Sequence, residues 1–114
     1  MDTITIDQLP TTIRAFNAAH EARDADAALA LLTPAAVITD EGNTYTGEGA
    51  LRRFIVEAGT EFTYTDEITG AARDGDVWVV LHHLEGNFPG GTADLAYRFA
   101  VDGNLIERLD IVGT

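Results

Sequence analysis

Apolar residues recur at three- and four-residue steps through the first half of the chain and at every second residue through the rest. Leu9, Ile13, Phe16, Ala19 and His20 follow the helical step, and Pro10 suits a first turn, so the spacing predicts a helix from Pro10 to Ala22. Asp24 or Asp26 caps a second, short helix with Ala28, Leu29, Leu31 and Leu32 on its apolar face, ending near Thr33-Pro34. Ala36 to Asp40 is a short β-branched run, and Glu41-Gly42-Asn43 turns it into a second small strand at Thr44 to Thr46. Gly47 opens a third helix, Glu48 to Ala58, with Leu51, Phe54 and Ile55 on one face and Arg52-Arg53 outside.

After Thr60 the period changes to two, and strands are expected near Glu61 to Ala71, Val77 to Glu85, Thr92 to Val101 and Leu105 to Val112. Asp74-Gly75, Gly86 to Gly91 and Asp102-Gly103-Asn104 have the turn chemistry of hairpins, which makes these strands an antiparallel meander. The helices have only this sheet on which to bury their faces, so the fold class is α+β, with a curved antiparallel sheet wrapped on N-terminal helices. At 114 residues the chain is one domain with one core.

Strand parity places side chains on faces. Ala93, Leu95, Tyr97, Phe99 and Val101 read inward, as do Leu105, Leu109 and Ile111, which leaves Arg98, Arg108 and Asp110 outside unless the last strand slips by one residue. The run from Val77 to Leu84 is apolar on both faces. Trp78, Val80, His82 and Leu84 are expected inside, and Val77, Val79, Leu81 and His83 on a convex face covered by a second copy, hence a homodimer.

Composition narrows the partners. Nineteen acidic residues against seven arginines give a net charge of −12, which repels nucleic acid and anionic membrane surfaces. There is no cysteine, and the three histidines lack ligand spacing, so neither a disulfide nor a metal site is expected. No apolar run spans a membrane, and the first residues have neither a basic nor an apolar segment of a leader, so a cytoplasmic location is expected. Phosphate-loop and serine-elbow patterns are absent.

The order of elements, with Phe16-Asn17-Ala18-Ala19 through Asp24 to Ala28, Ala36 to Asp40, Tyr45-Thr46-Gly47, Tyr97-Arg98-Phe99 and Leu105 to Leu109, resembles the nuclear transport factor 2-like superfamily. Its ketosteroid isomerase and SnoaL-like polyketide cyclase branches look most similar. The resemblance implies a cone-shaped sheet whose concave face binds a small, hydrophobic molecule, and a cofactor-free isomerase or cyclase chemistry. Asp40 matches the position of the isomerase general base. The isomerase's two oxyanion donors fall on Phe16 and Leu95, which cannot donate, so steroid isomerisation itself is not expected.

Asp40 and His82 are therefore the candidate catalytic residues, His82 as proton donor to a substrate oxygen or, alternatively, as a hydrogen-bonded core histidine. Phe16, His20, Phe54, Tyr64, Trp78, Val80, Leu95 and Tyr97 are the candidate ligand-binding walls, joined by Phe62. The same aromatic residues suit a filled core, and a non-catalytic ligand-binding or dimerising module of the same fold is the alternative function.

Overall fold

The computed structural model describes residues Met1 to Thr114. Its strands are β1 (Asp2–Ile4), β2 (Leu32–Asp40), β3 (Asn43–Thr46), β4 (Tyr64–Asp74), β5 (Val77–Gly86), β6 (Thr92–Asp102) and β7 (Leu105–Gly113), and its helices are α1 (Thr11–Glu21), α2 (Ala25–Leu29) and α3 (Glu48–Glu57). They form a single open sheet in the order β1-β4-β5-β6-β7-β2-β3, with the helices on its concave side. The four long strands pair antiparallel in sequence order, as their hairpin turns require. The departure is β2, which lies parallel to β7, with Val37 opposite Arg108 and Asp40 opposite Ile111.

One main core joins helices to sheet. Ile13, Phe16 and Ala19 from α1 and Leu51, Phe54 and Ile55 from α3 are the helix faces the three- and four-residue spacing selects. They pack on Ile38, Val80, Phe99, Ile106 and Leu109 of the sheet, all fully buried. Phe16 meets Phe99 edge-on, with ring centroids 5.8 Å apart.

Several expectations are corrected. α2 is capped by Asp24, whose Oδ1 accepts from the Ala27 N–H at 3.1 Å, but the helix stops at Leu29. Leu32 already pairs with Ile106 in β2, and Pro34 is tolerated because the ladder is irregular between Leu32 and Val37. β4 starts at Tyr64 rather than Glu61, since turn bonds from Thr60 N–H to Glu57 and from Phe62 N–H to Gly59 carry the chain out of α3. β1, only three residues long, was too short to show a period. A bulge between Ala100 and Val101 shifts the β6–β7 register, so Ile106 replaces Leu105 as the inward residue. Beyond the bulge Leu109 and Ile111 point inward as expected, while Arg108 pairs with Asp110 at 2.9 Å on the outer face.

On the outer face Ala72, Val79 and Ala96 form a small buried cluster flanked by Val77 and Leu81. No helix is long and apolar enough to cross a membrane.

Candidate functional site

A cleft opens between α1, the end of α3 and the concave face of β4 to β6. It has two lobes of about 730 and 750 Å³ that share His20, Phe62, Tyr64 and Tyr97 as their common wall.

The apolar lobe is bounded by Phe54, Leu84, Phe88, Leu95 and Ile111, with Asp40 at one side. Asp40 is the last residue of β2 and stands before a two-residue turn, Glu41-Gly42, in which both residues have positive φ (52° and 78°). Its half-buried carboxyl is pushed up to a pKa of about 6, mainly by loss of water and secondarily by the neighbouring Glu41 charge.

The polar lobe is bounded by Asn17 and Glu21 of α1, Arg23, Asp66 and Ile68 of β4, and His82 of β5. His82 is 6% exposed, lies flat on Tyr97 with ring centroids 4.0 Å apart, and brings Nδ1 within 2.7 Å of Asp66 Oδ1. Asp66 faces Leu84 in the ladder, so this is a diagonal contact across two strands. Nε2 of His82 and Oδ1 of Asn17 are buried without a hydrogen-bond partner. Arg23 follows α1 in the left-handed region at φ 55°, a conformation costly for a residue with a side chain. From there its guanidinium donates to the Tyr64 hydroxyl oxygen at 3.2 Å and to the Ile55 carbonyl at 3.3 Å. Because that oxygen accepts from Arg23, the Tyr64 O–H is left to donate elsewhere. Tyr64 itself sits opposite Gly86, where an added Cβ would lie 2.5 Å from Tyr64 Cβ, so only glycine lets the ring take this place.

The SnoaL-like domain profile matches residues 13–108. The chain belongs to the SnoaL-like family. Among solved structures, a protein of Sinorhizobium meliloti described as a polyketide cyclase is 31% identical to it, with a TM-score of 0.85 over 96% of this chain and 100% of that one. A protein of Catenulispora acidiphila with a ketosteroid isomerase-like fold, crystallised with trimethylamine, is 20% identical, with a TM-score of 0.75 over 92% and 86% of the two chains. TerC, co-crystallised with polyporic acid, is 18% identical, with a TM-score of 0.72 over 90% and 88%. At these lower identities the likeness is one of fold. No curated protein sequence matches the chain.

In this SnoaL-like cleft, His20, Phe54, Tyr64, Leu95 and Tyr97 line the walls as the sequence suggested. Phe16 and Val80 do not: both are fully buried in the packed core. Trp78 is also absent from the cleft, being covered by Arg73, whose guanidinium carbon is 3.9 Å from its ring centroid. Asp40 and His82 line different lobes, with His20 and Tyr97 on the wall between them. Sequence reasoning missed Asp66, Arg23 and Asn17. Asp66 was within reach, because it lies two residues from Tyr64 on the same strand face; Arg23 and Asn17 left no such signal.

His20 fills a box made by Phe16, Phe54 and Tyr97, with centroids 6.0, 5.2 and 6.3 Å away. Burial, reinforced by the Arg23 charge, lowers its pKa from 6.5 to about 4. Above pH 6.5 the ring is neutral in both states. Between 6.5 and about 4 the unfolded chain takes up a proton that the folded ring refuses, so stability falls as pH falls, by about 3 kcal/mol in all. His20→Phe, which keeps an aromatic ring in the box, is expected to remove this acid loss. Urea unfolding at neutral pH and near pH 4.5 checks it: an unchanged loss in the variant would assign acid sensitivity to other groups.

Proposed function

We propose that the chain binds a small hydrophobic or aromatic carbonyl compound in the apolar lobe and moves a proton on the carbon beside the carbonyl, as an isomerase or cyclase. The observation that carries this reading is the Asp40 carboxyl, half-buried against an apolar lobe with its pKa raised to about 6, where it is ionised at neutral pH yet sheltered enough to act as a base. In the proposed step Asp40 takes the C–H proton, the bonding pair moves into the enolate, and charge gathers on the carbonyl oxygen. The Tyr64 hydroxyl, on the wall of the same lobe and polarised by Arg23, is the donor for that oxygen. His82 is less suited, since it lines the other lobe and its Nδ1 is engaged by Asp66. The enolate then takes the proton back from Asp40 at another carbon, giving an isomer, or attacks a second carbonyl and closes a ring, the new alkoxide taking the proton that Asp40 holds. Neither outcome needs a cofactor. Structures of this fold holding trimethylamine and polyporic acid support a cleft open to small molecules.

The test is exchange in heavy water. Incubated with 2-tetralone, a fused bicyclic ketone, the protein is expected to speed loss of the proton signals beside the carbonyl; exchange no faster than in buffer, across this and other cyclic ketones, would leave a non-catalytic binding module as the reading. Val79 is already buried within the chain on the outer face, and the support for a second copy there is the partly exposed Val77, Leu81 and Val112 around it. Sedimentation is expected to give a dimer, and a monomer at high concentration would rule that face out as a self-contact.

A further inference from the structure

The Asp40 reading leaves the polar lobe unused, and that lobe contains the two buried polar atoms without partners. The Asp66 carboxylate lies 2.7 Å from Nδ1 of His82, so a singly protonated ring holds its proton on Nδ1 and presents Nε2 as a lone pair. Oδ1 of Asn17 is likewise an acceptor, on the same lobe. A buried acceptor left unpaired costs free energy that a donor would recover, and His82 and Asn17 both line the cavity of about 730 Å³. The ring cannot turn away to find solvent, because it is stacked on Tyr97 and tied to Asp66.

From these groups we propose that the polar lobe is a subsite for a ligand hydroxyl: a phenol or enol O–H donates to Nε2 of His82, and Asn17 Oδ1 accepts a second donor. Tyr97, Tyr64 and Phe62 form the wall shared with the apolar lobe, so a flat ring lying along them would carry its hydroxyl toward His82 and its apolar part toward Asp40. This deepens the proposed function by defining the substrate as a hydroxylated aromatic or enolic carbonyl compound, and it gives His82 the part of acceptor in place of donor.

Matched ligands test it without turnover. 2-Naphthol has the O–H; 2-methoxynaphthalene has the same ring without the donor. Titrated at neutral pH, 2-naphthol is expected to bind about tenfold or more tightly than the ether, and His82→Phe, which keeps a ring against Tyr97, is expected to abolish the preference. In wild-type protein labelled with ¹⁵N-histidine, the His82 spectrum is expected to show the Nδ1–H tautomer, with Nε2 shifting on addition of 2-naphthol and not of the ether. This second measurement stands even where the variant fails to fold. Equal affinities, a preference that survives His82→Phe, an Nε2 resonance unmoved by saturating 2-naphthol, or binding of neither compound would each overturn the subsite. Failure here with ketone exchange retained would spare Asp40; success here without exchange would remove the Asp40 chemistry alone.

Discussion

Asp40→Asn is expected to lower ketone exchange by about 100- to 10,000-fold, the range a positioned general base contributes. The amide keeps the shape of the side chain and its place at the end of β2 but has no lone pair basic enough to take a carbon-bound proton. The wild-type rate gives a second signature. With a pKa of about 6, Asp40 is protonated and idle below that value and ionised above it, so the rate should climb as pH rises through about 6 and then level off. The same shift has a stability consequence of opposite sign to that of His20. Between about 6 and 3.8 the folded carboxyl holds a proton that the unfolded one releases, so ionising Asp40 weakens the fold as pH rises through that window. The asparagine variant should therefore be no less stable than wild type at neutral pH, and more stable by about 1 kcal/mol after allowance for the partial exposure of the group. Full exchange activity in a folded Asp40→Asn protein would end the proposal that this residue is the base.

Phe16→Ala is expected to cost about 3–5 kcal/mol, the range for emptying a buried aromatic site. The ring is completely shielded, set edge-on to Phe99, and surrounded by residues of both the helical layer and the sheet. Against a total of about 5–15 kcal/mol for a domain of this kind, that loss leaves little margin. A phenylalanine lining an open cleft would cost far less to truncate, since water or ligand already occupies one side of it. Urea unfolding distinguishes the two: a loss under about 1 kcal/mol, with weakened ligand binding, would return Phe16 to the cleft.

These two residues also show what was legible in the sequence. The step from a helical to a two-residue period identified three helices followed by long strands, because one face of each element has to be apolar whatever the details of packing. It placed Leu95 and Tyr97 on the inward face of the sheet and His20 and Phe54 on the apolar faces of their helices, whereas Asp40 was marked by the family resemblance alone. Periodicity cannot separate a core position from a cleft wall on the same face, and so Phe16 and Val80 were assigned to the cleft. Bulges defeat it altogether. The register shifts between Ile68 and Gly70 and again between Ala100 and Val101, and each exchanges the inward and outward sets from there on. Leu105 was exchanged with Ile106 for that reason. Asp66 could be read as a wall residue from its spacing to Tyr64, but its pairing with His82 could not: a diagonal pair depends on which residues of two strands face each other, and neither strand alone contains that information.

The parallel contact of β2 with β7 bears on how the site comes into being. Asp40 belongs to the first half of the chain, yet the strand that fixes it pairs Asp40 with Ile111, so the two neighbours are far apart in sequence. Contacts of that span have high contact order, and the loop that closes them costs more entropy than the local hairpins from β4 to β7. The wall behind the carboxylate is thus completed by the last strand of the chain, and the setting that raises its pKa exists only where the two halves of the sequence meet.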